Sequence, residues 1–391
     1  MELSSIQLKK EIRSFCLFSF LFYMSYTVLA YRNVFFHEVI GMPGSEIGII
    51  NSVGKLVVFL TLPLWGLFAD LKKAEKGILQ IALLGSVVMF SLLGLIDNFL
   101  LIGIIYGIFY FFQGPIVPVT DSIILGTLKE KGQQYGRIRL FGSVGYLLAV
   151  AFVGQILHQF GMEKMFYIYA LILFATWLVT FSFPASGQLF RTPKLADLKL
   201  LVRNRQLLYF LIFSFLIHLT LMTHLTFFPV FFNQLADGRT GLLGLALALG
   251  SLSEIPIFYG FDKFIKRFNY IHSFILGAII YGVRWYLQAR VTSVMALLLV
   301  QGLHGLSFGL ITVASVTFVN QIVVEEFRTT GQTLLQTVNT SISAIIGNLI
   351  GGFLFEIGGA PLLFNTLAMI SVVALIFLVV CVRNKGIVDL N

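Results

Sequence analysis

The sequence predicts an all-α integral membrane protein with twelve transmembrane helices in two six-helix bundles. Three observations predict it. Hydrophobic residues make up 58% of the 391 positions and charged residues only 12%, whereas a soluble domain carries roughly 25% charged residues. Apolar runs of roughly 20 residues, each able to cross a hydrocarbon core of about 30 Å, recur twelve times. The mean hydropathy, +0.91, is that of a chain whose solvent is lipid.

The predicted spans are 12–36, 46–69, 77–96, 99–126, 137–160, 164–184, 206–233, 240–261, 270–290, 293–318, 329–355 and 360–382. The first run is long enough to span, so no cleavable signal peptide is expected. An even number of spans leaves both termini on one side. Of the 27 Lys and Arg, 20 fall in the terminal and connecting segments on that side, and the positive-inside rule makes it cytoplasmic. A multi-pass protein of a bacterial-type inner membrane, with both termini cytoplasmic, is expected. The net charge of +9 is spread over short segments between apolar runs, which argues against a nucleic-acid partner. Cys16 and Cys381 lie in apolar segments near opposite ends, so no disulfide framework is expected. An enzyme is not expected, for want of a paired metal-ligand motif such as H-E-x-x-H.

The longest polar connection, residues 185–204, reads as a linker between an N-terminal bundle, 1–184, and a C-terminal bundle, 205–391. Each half repeats a polar turn after its second helix. The first is GLFADLKKAEK, with Gly66, Asp70 and Lys73; the second is FYGFDKFIKRF, with Asp262 and Lys266. We assign these five residues to a cytoplasmic gate motif.

An ionisable residue in a spanning helix costs about 2.5–3.5 kcal/mol on insertion scales, so a functional role is its default reading. In the first half, PVTDSIILGTLKEKGQQYGRIRLFGSVGY carries Asp121 and Arg139 nine residues either side of Glu130. In an antiparallel helix pair that symmetry puts the two charges at similar depth. Ser143 and Tyr146 lie four and seven residues after Arg139, on the same helical face. Lys55 is about 12 Å into the second helix at 1.5 Å per residue, beyond easy snorkelling range. Arg32, near the end of the first helix, reads as an interfacial anchor.

The second half carries a ladder. At the same rise, Arg284 is about 9 Å into helix 9, His304 about 16 Å into helix 10 and Glu254 about 21 Å into helix 8. Glu254, in SLSEIPIF, is an acid in an apolar run, and burial favours its protonated form until a path to water opens. A coupling carboxylate requires that behaviour. Tyr26, Tyr31, His224, Gln336 and Asn339 add polar or aromatic groups as candidate solute contacts, while His218 reads as a packed, hydrogen-bonded histidine. Three cations, Lys55, Arg139 and Arg284, against two acids, Asp121 and Glu254, favour an anionic solute over a neutral sugar.

Twelve spans in two parallel halves, with the G-x-x-x-D turn from Gly66 to Lys76, resemble the major facilitator superfamily. Within it, YGRIRLFGSVGY resembles the helix 5 signature of the oligosaccharide–proton symporters, in their lactose-permease and phenylpropionate-permease branches. The resemblance implies the major facilitator fold and solute–proton symport. Asp121 and Arg139 match a carboxylate and an arginine that hold sugar hydroxyls, with the carboxylate one methylene shorter here. Tyr146 stands where those symporters stack a tryptophan on a galactosyl ring. Arg284 and His304 match an arginine and a histidine of the lactose-permease branch, but Ser307 replaces its coupling glutamate. Motifs resembling SEIPIF, GVRW and LHGLSF in the phenylpropionate-like branch give the proton role to Glu254 instead.

The expected function is a proton-coupled importer of a small organic solute, an aromatic or other organic anion or a sugar, working by alternating access. Proton-coupling residues are Glu254, His304, Arg284 and Asp121. Solute-binding residues are Asp121, Arg139, Ser143, Tyr146, Lys55, Tyr26, Tyr31, His224, Arg284, Gln336 and Asn339. No metal or other cofactor is expected beyond the coupling proton, and the expected partners are the solute and the lipid bilayer, with a monomeric state. The alternatives are an efflux antiporter of the same fold and a non-transporting solute sensor.

Overall fold

Backbone that crosses lipid must satisfy its own hydrogen bonds, so the apolar runs fold as helices. The computed structural model describes residues 2–72, 74–128, 135–184, 203–267, 269–384 and 386–387. Its elements are α1 (Lys9–Glu38), α2 (Gly44–Lys72), α3 (Glu75–Leu93), α4 (Phe99–Leu128), α5 (Tyr135–Phe160) and α6 (Lys164–Ser182). They continue with α7 (Arg205–Leu235), α8 (Thr240–Arg267), α9 (Tyr270–Gln288) and α10 (Val294–Ile322). The last helical stretch, Arg328–Arg383, breaks at Gly359, whose φ of 62° and ψ of −160° suit glycine alone, with Pro361 just beyond. We number its parts α11 (328–358) and α12 (360–383). These twelve segments coincide with the twelve predicted spans, and the described residues contain no strand.

Local chemistry sets the ends. Asn98, Asn204, Asn269 and Ser293 each precede an apolar run and accept a hydrogen bond from a backbone N–H of the first turn, at 3.1–3.3 Å. Interruptions fall where polar groups gather. α4 is broken at Gly114 and Pro115, between Phe99–Gln113 and Ile116–Leu128. α10 and α11 each contain a π turn, Gly305–Gly309 and Val338–Ile342, a distortion often found at functional sites.

The chain divides into two compact units. One comprises Met1–Met42 and Val53–Thr192, the other Pro43–Ser52 and Pro193–Asn391. In the first, α1 lies along α5 and α6, and α3 along α4. Its core is aromatic, with Phe90 within 5.3 Å, ring centre to ring centre, of Phe109, Phe166 and Tyr169. In the second, α7 and α9 pack on the 343–383 stretch, and α8 packs on α10. Residues 43–52 are tied into this unit by Ser45 N–H donating to Glu356 at 2.9 Å and Ser52 Oγ to the Ile345 carbonyl at 2.8 Å. Leu100, Leu171, Leu299 and Ile376 are exposed, as lipid-facing side chains are.

Candidate functional site

The second unit joins the ladder residues in one hydrogen-bonded chain. Its geometry begins at Gly305, where a Cβ would sit 1.8 Å from the Ser253 carbonyl oxygen. The missing side chain lets α10 rest on the α8 backbone, and Ser253 Oγ accepts the Gly305 N–H at 2.7 Å. That contact sets His304 beside Glu254, with Nε2 3.1 Å from Oε1. The other imidazole nitrogen, Nδ1, lies 2.8 Å from a terminal guanidinium nitrogen of Arg284. Arg284 is fully buried. Its second terminal nitrogen donates to Gln301 Oε1 at 2.6 Å and to His224 Nε2 at 3.1 Å, and its guanidinium lies 4.7 Å from the Trp285 ring centre. A buried charge needs this degree of pairing to be tolerated.

Donor logic assigns the protons. A guanidinium only donates, so His304 Nδ1 accepts from Arg284 and the imidazole proton sits on Nε2, facing Glu254. By the same logic His224 accepts through Nε2. The chain runs from guanidinium to imidazole to carboxylate, and its far end is the open one: the side chains of His304 and Glu254 are 14% and 20% exposed. The geometry allows a proton to pass between Nε2 and the carboxylate.

Neighbouring groups hold structural positions. Ser214 Oγ donates to Asn339 Oδ1 at 2.8 Å, and His218 Nδ1 lies 2.9 Å from the Ser214 carbonyl. His218, His224 and Asn339 are all buried, whereas Gln336 is exposed. The π turn GLSFG, Gly305–Gly309, has the G-x-S-x-G spacing of a hydrolase nucleophile elbow. It lies within a helix rather than at a strand-to-helix turn, and the buried Ser307 hydroxyl donates back to the carbonyls of Leu303 and His304 at 3.1 and 3.0 Å. No nucleophile is presented there.

In the first unit, Asp121 from α4 and Arg139 from α5 line one pocket together with Phe18, Phe22 and Tyr23 of α1. No direct ion pair joins the two among the described residues. Arg139 lies with its guanidinium 4.3 Å from the Tyr23 ring centre, and Asp121 takes a hydrogen bond from Tyr135. Ser143 is exposed and Tyr146 half-buried on α5, and Tyr26 of α1 is 45% exposed. Tyr31 is fully buried, its hydroxyl meeting no hydrogen-bond partner among the described residues.

A second polar cluster lies in the same unit. The Lys55 ammonium is 5.7 Å from the Tyr110 ring centre. Arg32 donates from Nε to the Tyr106 hydroxyl at 2.6 Å and from a terminal nitrogen to the Leu29 carbonyl at 2.7 Å. The expectation for Arg32 is therefore corrected. The helical path bends through a 3-10 turn at Leu29–Tyr31 and delivers the side chain to the Tyr106 hydroxyl instead of a lipid headgroup. Sequence reasoning missed Tyr23, Tyr135, Tyr106, Tyr110, Gln301 and the buried Glu75, whose carboxylate accepts from Ser122 at 2.7 Å. Of the gate residues, Gly66 is buried. Lys73, the side chains of Asp70, Asp262 and Lys266, and linker residues 185–202 lie outside the described residues.

A family model described as the MFS_1 like family matches residues 12–366. The chain is 28% identical over 381 residues to a maltose permease of Geobacillus stearothermophilus, covering 95% of each chain. It is 24% identical to a probable 3-phenylpropionic acid transporter of Escherichia coli strain K12, covering 72% of this chain and 74% of that one. Its fold is similar to the crystal structure of the nucleoside transporter NupG, with a TM-score of 0.86 and 17% identity over 95% of this chain and 99% of that one. With twelve helical segments among the described residues, ionisable groups inside them and a family match over nearly the whole length, the chain belongs to the MFS_1 like family of the major facilitator superfamily, and is a multi-pass membrane transporter rather than an enzyme.

Proposed function

We propose that the protein is a proton-coupled symporter that imports a small organic solute by alternating access of its two halves, residues 1–184 and 205–391. Both termini face the cytoplasm across a bacterial-type inner membrane, and the transporter acts as a monomer with no cofactor other than the proton. The observation that carries this reading is the Arg284–His304–Glu254 chain, with contacts of 2.8 and 3.1 Å. It ends on a carboxylate whose side chain is 20% exposed, open enough to exchange a proton. Glu254 is the coupling site and His304 its relay, while Arg284 sets the field that both groups feel. Asp121 and Arg139, in one pocket without a bond between them, anchor the solute. The Lys55, Arg139 and Arg284 charges favour an organic anion. A sugar is the second reading, favoured by the likeness to a maltose permease at 28% identity.

The test uses proteoliposomes with an imposed pH gradient, inside alkaline, and labelled 3-phenylpropionate and maltose. Accumulation of either solute driven by the gradient is expected. A Glu254→Gln variant should keep solute exchange and lose uphill accumulation. Binding without flux would sink the transport reading, and normal accumulation by Glu254→Gln would move the proton site elsewhere.

A further inference from the structure

The last part of α4, Ile116–Leu128, is a separate piece of helix. Pro115 and Pro118 have no amide N–H to bond back across the break. The Phe111 carbonyl, which an amide at 115 would take, accepts instead from the Trp65 indole at 2.9 Å. With those backbone bonds missing, the rotation of the piece about its axis rests on its side-chain contacts. Val117, Thr120, Asp121 and Ile124, at i, i+3, i+4 and i+7, form one face and line the pocket that also holds Arg139. Ser122 stands about 100° round the axis from Asp121 and donates to the Glu75 carboxylate at 2.7 Å. Glu75 opens α3 and is 5% exposed, although it belongs to a lysine-rich turn where a carboxylate is ordinarily solvated. Burying a carboxylate is costly unless it is bonded. The end of α3 that carries it is itself fixed. Lys76 Nζ donates to the Phe181 and Phe183 carbonyls, both at 2.8 Å, and Gln80 Nε2 to Thr180 Oγ1 at 3.1 Å. The end of α6 thus holds α3, and α3 through Glu75 holds the last part of α4.

We propose that Glu75 is a positioning residue for solute binding: through Ser122 it fixes the rotation of residues 116–128 and so keeps the Asp121 carboxylate in the pocket that holds Arg139. The lever is short. A side-chain tip lies about 5–6 Å from a helix axis, so a turn of about 20° carries it roughly 2 Å. That displacement breaks a hydrogen bond of ordinary length. Glu75 lies outside the pocket lining and acts only through its neighbours on α4. This inference rests on the reading of Asp121 and Arg139 as the solute anchor. It joins the turn between α2 and α3, which carries the gate motif, to that anchor.

The experiment reads the orientation of the segment without a solute. In the purified full chain, with the two buried cysteines removed by Cys16→Ser and Cys381→Ser, a single thiol is placed on either wall of the pocket, by Asp121→Cys or by Arg139→Cys. The rate of its alkylation by N-ethylmaleimide is then measured. Glu75→Ala should change the rate at position 121 several-fold and leave position 139 as it was. Glu75→Gln, which keeps an acceptor for the Ser122 hydroxyl, should restore the rate, and Ser122→Ala should reproduce the change even where Glu75→Ala yields no folded protein. Equal changes at both positions, the mark of general loosening, overturn the proposal, and so do unchanged rates at both. Transport gives a second readout, in proteoliposomes with whichever of maltose and 3-phenylpropionate is taken up. Glu75→Ala should raise KM about 10-fold with little change in kcat, the size of one lost hydrogen bond to a charged group. In an Asp121→Asn background the same substitution should add nothing, and an unchanged KM in the otherwise wild-type chain overturns the role. The two proposals fail separately. Gradient-driven uptake with thiol rates indifferent to Glu75 keeps transport and removes the positioning role. A response confined to position 121, without flux of either solute, keeps the hold of Glu75 on Asp121 and removes transport.

Discussion

If Arg284 and Glu254 feel one another through His304, removing both charges should cost less than the sum of removing each. The contacts along the chain are 2.8 and 3.1 Å long. With the imidazole between them they put the two charges about 8 Å apart, worth roughly 2 kcal/mol at an effective dielectric of about 20. Arg284→Met removes a fully buried guanidinium and strands Gln301, His224 and the carboxylate, a loss of about 3–5 kcal/mol. Glu254→Gln keeps an acceptor for the His304 N–H but leaves Arg284 without its counter-charge, at a cost of about 2 kcal/mol by the same Coulomb estimate. In the double variant neither charge is stranded, so the cycle should return a coupling of about 2 kcal/mol, within the 0.5–3 kcal/mol seen for residues of one network. The assay is unfolding of the four proteins in one detergent, followed by tryptophan emission, with a reversible denaturant so that free energies can be compared. Additive losses, to within about 0.5 kcal/mol, would refute the argument that His304 links the two charges.

Further outcomes follow from the same contacts. Gly305→Ala places a methyl 1.8 Å from a carbonyl oxygen, so α10 must lift off α8; detergent-stable yield should fall sharply, while Ser253→Ala, which removes only the 2.7 Å bond to Gly305 N–H, should cost about 1 kcal/mol. At Arg139, Tyr23→Leu removes the ring 4.3 Å from the guanidinium and should cost about 0.5–2 kcal/mol of stability, whereas Tyr23→Phe keeps the face and should cost less; matched thermal melts decide between them.

The fold was legible because its driving term is local. A run of apolar residues long enough to cross lipid has one structural outcome, and Asn98, Asn204, Asn269 and Ser293 mark where helices begin. The break between the last two spans was readable from Gly358–Gly359–Ala360–Pro361, although the helical stretch runs unbroken by length from Arg328 to Arg383. Glu75 shows where linear reading stops. It stands in the polar turn GLFADLKKAEK, and a run of charges reads as solvated. The structure makes it the start of α3, 5% exposed and bonded to Ser122 of α4. Its burial depends on how α3 meets α4, which no periodicity within either helix contains. Gln301 was hidden for another reason: an uncharged amide scarcely lowers the hydropathy of its run, yet here it takes the shortest bond that Arg284 donates.

The charged members of the site were visible one by one, but the partners that hold them were not, and those partners bear on mechanism. Symmetry about the α4–α5 turn suggested that Asp121 and Arg139 belong together, and they do share a pocket. Each nevertheless takes a tyrosine as its direct partner, Tyr135 for the acid and Tyr23 for the guanidinium. Lys55 likewise lies against Tyr110 and Arg32 against Tyr106, while Arg284 adds the Trp285 face to its bonds with His304, His224 and Gln301. Aromatic rings pass unnoticed in an apolar helix because they are compatible with lipid, so a sequence reader looks for carboxylates and misses them. The energetic difference is large. A ring offers a cation about 0.5–2 kcal/mol, whereas breaking a buried ion pair costs about 3–5 kcal/mol. A cation held by a ring can exchange that contact for a solute's anion or acceptor at modest cost, and one locked to a carboxylate cannot. Lys55 and Arg139, each over a ring and neither in an ion pair among the described residues, are held by contacts of this exchangeable kind, whereas the carboxylate of Glu254 is tied through His304 to Arg284.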